Sequence, residues 1–472
     1  MWVYVDRIMA AFLARFSRHA LLVLLVLRAA IAVQDPTSDP FYQPPAGFES
    51  EAPGTILRDR SVVGSFFGLI PNPVETHQLL YRTTAINGSA ISTVTTVFKP
   101  LSPKTDRLVS FHTAYDSSSI ICTPSYQYQL GTPQTDLISS LEMLIIQAYL
   151  LLGYIVASPD YEGPDAAFAT GRLEGMGVLD GMRAVSNYHE TLGLDDDSPK
   201  IVGIGYSGGG IATGWAAELQ PSYASELDIK GWASGGTPAN LTGTLVFIDN
   251  TPFSGFLPAA IDGLSKPSAY GAQLGPVIDK IITAEGQQAL DAANAQCAPA
   301  DLISFFEKSL FSTDVQSLGS GILEEPTIAD IMSNNVMGVN HSATPEAPVF
   351  LYHATQDEII PYANASTLYD SWCDDGANVK FTTFGGGGHL TTEIIGLPNV
   401  IDFVQAAFNG STATGCSKDS ELTSELDPLA LGLDLEPILV QLIEVLTLAG
   451  NEDENIRKNV NVLNRTISDS GS

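Results

Sequence analysis

Apolar positions along this chain fall into two alternating kinds of run. Residues 79–84 and 91–98 have β-type composition on either side of Asn87-Gly88, a dipeptide that favours a tight hairpin. Short, strand-length runs then follow at 108–113, 154–158, 200–205 and 229–233. Longer stretches with helical spacing separate them, at 135–152, 175–189 and 209–219. Strands alternating with helices predict βαβ units and an α/β fold with a mostly parallel central sheet. The alternation stops near Asn240. Residues 240–345 hold helical stretches, such as 270–284 and 286–298, and a dense apolar segment at 247–264, but no strand series. The pattern resumes with strands at 348–353 and 379–384 and helices at 363–373 and 398–408. One sheet-based core, 33–239 plus 346–416, interrupted by a helical cap at 240–345, is the economical reading. Such a cap would lie over the carboxyl ends of the strands, where open α/β sheets bind ligands.

The flanks differ. Residues 33–60 are rich in Pro, Gly and acid and predict an extended arm lying on the core. The tail 417–472 is acidic, with an apolar stretch at 438–448 suited to a docked amphipathic helix. At the start, Arg7, Arg15 and Arg18 precede an apolar run at 21–27, and Ala30-Ile31-Ala32 follows. This is the pattern of a secretory signal peptide over 1–32, and the run is too short to span a bilayer. No later segment reads as a transmembrane anchor.

Secretion changes how the remaining composition is read. Cys122, Cys297, Cys373 and Cys416 form an even, low count, which in an exported chain suggests two disulfides; spacing leaves all three pairings open. Sequons at Asn87, Asn240, Asn340, Asn364, Asn409 and Asn464 become glycosylation candidates. With no CxxC or HExxH pattern, neither a metal nor an organic cofactor is expected. The formal net charge is −31, which opposes binding to nucleic acid and suits an uncharged substrate. The chain is expected to act as a monomer.

The chemistry concentrates at Gly205-Tyr206-Ser207-Gly208-Gly209, a G-x-S-x-G match between a predicted strand and a predicted helix. In that setting the glycines permit a tight turn that projects a strained serine above the sheet, as in an α/β-hydrolase. There the acid and then the histidine follow the serine in the chain. Of seven histidines, only His341, His353 and His389 come after Ser207. His341 lies in a sequon within the insertion, and His353 lies inside a strand. His389 follows four glycines in what reads as a mobile loop, so it is the candidate base. Asp357 follows the strand at 348–353 across a short turn and is the candidate acid; the adjacent Glu358 is expected to point elsewhere. An oxyanion hole needs backbone N–H donors, one of them from Gly208. Asp116, in the loop after the 108–113 strand, reads equally as the second donor or as an ordinary turn residue.

These motifs carry a resemblance. Together with Asp39-Pro40-Phe41-Tyr42, Pro53-Gly54-Thr55, Ala114-Tyr115-Asp116-Ser117 and Pro159-Asp160-Tyr161-Glu162-Gly163, they make the chain resemble the fungal secretory lipases of the lipase A type over most of 36–416. The resemblance implies a Ser207–His389–Asp357 triad, an oxyanion hole from Asp116 and Gly208, and a helical cap over an acyl-binding tunnel. It also implies disulfides Cys122–Cys297 and Cys373–Cys416. The expected function is a secreted serine ester hydrolase, a triacylglycerol lipase acting on apolar esters at a lipid–water interface. An esterase removing short acyl groups from secondary metabolites is the alternative.

Overall fold

The computed structural model describes residues 33–421. These form a ten-stranded sheet. Its strands are β1 (Ile56–Val62), β2 (Glu75–Thr84), β3 (Ala90–Lys99), β4 (Arg107–His112), β5 (Ile155–Pro159), β6 (Lys200–Tyr206), β7 (Ile229–Gly235), β8 (Val349–Ala354), β9 (Val379–Phe384) and β10 (Ser417–Glu421). The order across the sheet is β1-β2-β3-β5-β4-β6-β7-β8-β9-β10. The first three strands run antiparallel, and every pairing from β5 onward is parallel.

The inner parallel strands are rich in apolar residues because both their faces are covered. Val202, Ile204, Phe350 and Tyr352 face a core with α1 (Leu137–Leu151). On the opposite face, Leu108, Ile201, Leu351 and Phe381 pack with α2 (Gly171–Asn187) and α3 (Gly208–Tyr223). Residues 240–345 build a third apolar core from helices that include Leu241–Ile248, Phe256–Leu264 and Gly271–Ile281. Ile359 and Ile360, from the loop after β8, are part of it. Beyond β8 come α4 (Tyr362–Asp374) and, after β9, α5 (His389–Phe408). Among the described residues, no helix is long and apolar enough to cross a membrane.

Three expectations need correction. Residues 56–62 are an edge strand rather than part of a loose arm. Their charged sequence, Ile-Leu-Arg-Asp-Arg-Ser-Val, concealed them, and Arg60 ties the arm to the edge through Asp39 at 2.6 Å. The sheet does not end with 416, since residues 417–421 pair along β9. Finally, the last core helix begins at His389, not near Pro398, and carries that proline in its interior. The signal segment, the apolar stretch 438–448 and Asn464 lie outside the described residues.

Cys122 is bonded to Cys297, and Cys373 to Cys416. The first bond joins the end of the short turn Ile120–Cys122 to the cap-side residue preceding Ala298; Ser117 Oγ also donates to Gln296 O at 3.2 Å. The double variant Cys122→Ser/Cys297→Ser should lose about 2–5 kcal/mol of stability, because the bond closes a long loop. Urea unfolding of the two proteins checks this; equal midpoints would contradict it. Among the sequons, Asn87, Asn340 and Asn409 are exposed. Asn364 is buried and its amide donates to Asn240 O and Thr244 Oγ1, so it is not placed to accept a glycan.

Candidate active site

Ser207 sits where β6 turns directly into α3. Its backbone takes φ 53° and ψ −121°, a conformation costly for a residue with a Cβ. The turn is tight enough that side chains are excluded around it. A Cβ on Gly205 would lie 2.1 Å from Gly209 O, and one on Gly209 would lie 1.8 Å from His112 O. The Ser207 N–H donates to Gly235 O at 3.0 Å, which anchors the turn to the end of β7.

His389 is the first residue of α5, so it is held rigidly rather than in a mobile loop. The Tyr206 hydroxyl donates to His389 O at 2.6 Å, and the two rings lie 5.0 Å apart. A Cβ on Gly236, beside the residue that accepts the Ser207 N–H, would come within 2.8 Å of His389 Cε1. The imidazole therefore lies against the strand end that anchors the serine. Its Nδ1 is 2.7 Å from Asp357 Oδ2, while Nε2 is buried without a hydrogen bond. Asp357 Oδ1 accepts the N–H groups of Ile359 and Ile360 at 2.9 and 2.7 Å. Burial works against charge on His389, but the Asp357 carboxylate outweighs it and raises the imidazole above its ordinary range. Burial also opposes charge on Asp357, and the His389 imidazole still holds its carboxyl below the usual value.

The residues set aside in the sequence also have defined places. Glu358 points into the site after all: its carboxylate accepts the His389 backbone N–H at 2.9 Å, an anion at a helix N-terminus. A Cβ on Gly388 would lie 2.3 Å from that carboxylate, which accounts for one residue of the glycine run. His353 is buried, bonds Ile360 O at 3.0 Å and lies 3.3 Å from Asp357 Oδ2. His341 is a surface residue paired with Asp375 at 2.8 Å.

Asp116 lies on the opposite side of the serine, also at positive φ, 43°. Its carboxyl stands over Gly208, where a Cβ would meet Oδ1 at 1.7 Å. Burial raises that carboxyl to about 7, with the His389 imidazole pulling the other way. Ser207, Asp116 and Gly208 open onto a cavity whose further walls include Phe168, Leu241, Leu245, Ile248, Phe256 and Ile360.

A mostly parallel sheet with a strained serine at one strand end, and a paired histidine and aspartate at the ends of two others, places the chain in the α/β-hydrolase class. The family model described as secretory lipase matches residues 128–416. A secreted triacylglycerol lipase of Malassezia furfur is 41% identical over 427 residues, covering 89% of each chain. Lipase 1 of Candida albicans is 34% identical over 412 residues, covering 85% of this chain and 87% of its own. Candida antarctica lipase A in its closed state superposes with a TM-score of 0.79 at 34% identity, over 86% of this chain and 95% of that one. The protein belongs to the secretory lipase family and is a secreted carboxylic ester hydrolase.

Proposed function

We propose that the protein hydrolyses acylglycerols through a Ser207–His389–Asp357 triad and an acyl-enzyme. In this reading the Ser207 hydroxyl attacks the ester carbonyl while His389 Nε2 takes its proton. His389 then returns the proton to the leaving alcohol, and water repeats the cycle on the acyl-enzyme. Asp357 holds the imidazole in the tautomer that leaves Nε2 free to accept. The N–H groups of Gly208 and Asp116 would receive the negative charge on the carbonyl oxygen. The helical insertion 240–345 serves as the cap over the acyl group.

The observation that carries the substrate class is the wall of the cavity. Leu241, Leu245 and Ile248 come from one cap helix, and Phe256 and Ala260 from the next. An acyl chain there displaces water from aliphatic and aromatic carbon on several sides. Each methylene buried is worth about 0.8 kcal/mol, or roughly a fourfold gain in kcat/KM. The Malassezia relatives, named triacylglycerol lipases, support the same class. Measured from acetyl to oleoyl esters, kcat/KM should rise stepwise until the cavity is filled, and emulsified triglyceride should be attacked. Preference for acetyl esters, with emulsions untouched, would replace this reading with the short-acyl esterase.

A further inference from the structure

Two carboxyl groups lie beneath the site with no assigned task. Glu142 is on α1 and is 2% exposed. Glu393 is on α5, one helical turn beyond His389 and therefore on the same face. The two carboxyls are within hydrogen-bond reach of each other. Glu142 Oε2 also accepts the backbone N–H of Ala114 at 2.9 Å, two residues before Asp116. The pair thus bridges the loop on one side of Ser207 and the helix that carries the imidazole on the other.

Its surroundings forbid two charges. Met143, Ile146, Ile394 and Leu397 form the apolar core around it. Among the described residues, no lysine or arginine pairs with either carboxyl. The titratable groups that face it are Tyr149 from α1, Tyr206 from β6, Tyr352 from β8, Tyr128 and Asp116 from the loop side, and His389 from α5. Burial raises both carboxyls above their ordinary range. Glu142 is buried and Glu393 is partly exposed; two carboxyls this close in a largely apolar setting resist double ionisation, and sharing one proton joins them by a charged O–H···O bond.

We propose that Glu142 and Glu393, holding one proton between them, are positioning residues: a clasp that keeps the Asp116 loop and the His389 helix in register across Ser207. Loss of that proton at alkaline pH sets two carboxylates against each other and parts the two sides. The inference rests on the proposed roles of Ser207, His389 and Asp116.

The test is the pH profile of kcat on a soluble ester, with Ser207 titrated in parallel by a fluorophosphonate. Glu393→Gln supplies a permanent N–H donor to the Glu142 carboxylate and needs no proton. Its alkaline limb should move up by at least about one pH unit, while the acid limb set by His389 stays in place. Glu393→Leu, lacking the bond, should lose about tenfold in kcat on the pH plateau, with KM unchanged, and should approach the parent only above the parent's alkaline limb. An unmoved alkaline limb in Glu393→Gln overturns the clasp. If that variant does not fold, Glu142→Gln reads the same bond from its other partner. The part of the protonated-carboxyl infrared band that Glu393→Gln removes should fade, in the unsubstituted enzyme, in step with kcat; if that part persists while activity falls, the clasp is also overturned. Absence of fluorophosphonate labelling in the parent would instead remove the triad on which the clasp depends.

Discussion

Replacing Ser207 by alanine should lower ester turnover by at least about 10⁴-fold, with the folded structure retained. The size of the effect comes from what the hydroxyl does. It is the only protein atom in the proposed mechanism that forms a bond to the acyl carbon, so its loss removes the acyl-enzyme route entirely. What remains is the contribution of the oxyanion donors and of binding, which neither Gly208 nor Asp116 loses. The fold should survive because Ser207 makes its anchoring contacts through the backbone, N–H to Gly235 and carbonyl to Ile211 N at 3.1 Å. Alanine keeps the Cβ and with it the strained φ, so no large gain in stability is expected either. Circular dichroism and thermal unfolding should match the parent, and burst kinetics with a p-nitrophenyl ester should show no acylation phase. Near-normal turnover by a well-folded Ser207→Ala protein would end the assignment.

A second large effect concerns stability across pH. Burial raises Asp136 to about 6, Asp116, Asp160 and Glu218 to about 7, and Asp301 to about 8. Glu162 and Glu174, fully buried with both oxygens of each unbonded, are raised as well. A carboxyl whose folded pKa exceeds its unfolded value binds its proton more tightly in the native state. The stability it contributes is complete below the unfolded value of about 4 and is lost as pH rises through the folded value. The window for loss therefore runs from about pH 4 to about 8. His389, also raised, adds to the same trend, and self-repulsion of a chain with net charge −31 reinforces it. Asp357, held low, works in the opposite sense, losing its contribution only as pH falls through its depressed value. The melting temperature should therefore fall by more than about 5 °C between pH 4.5 and 8.5, the equivalent of a few kcal/mol for a chain of this size. A flat or rising melting temperature over that interval would show that these carboxyls are not held protonated in the folded protein.

The sequence was legible where burial was two-sided. Strands β4 to β9 each carry at least three apolar residues in a short run, so each announces itself without neighbours. The strand at Ser417–Glu421 contains no apolar residue; its backbone ladder to β9, the adjacent Cys373–Cys416 bond and polar contacts such as Lys418 with Asp370 and Asn399 with Glu421 hold it. Nothing local could reveal it. The helix start at His389 was hidden by the glycines before it and by Pro398 inside it. Ser207, Asp357 and His389 could be singled out as candidates because chain order and strand ends limit the choices. Glu358 was set aside because adjacency to Asp357 says nothing of where the chain turns next. Glu142 did leave a signal, a single carboxylate inside the run Leu141-Glu142-Met143-Leu144-Ile145-Ile146, where a charge is out of place.

Ile359 and Ile360 serve two masters. Their backbone N–H groups hold the Asp357 carboxylate, while their side chains belong to the cap core and to the cavity wall. Drift at these two positions cannot retune which acyl chains fit without also disturbing the acid that steadies His389. Leu245 and Ile248 carry no such double duty. Natural divergence in chain-length preference should therefore accumulate on the cap helix and spare the dipeptide, and libraries aimed at new substrates should be built there.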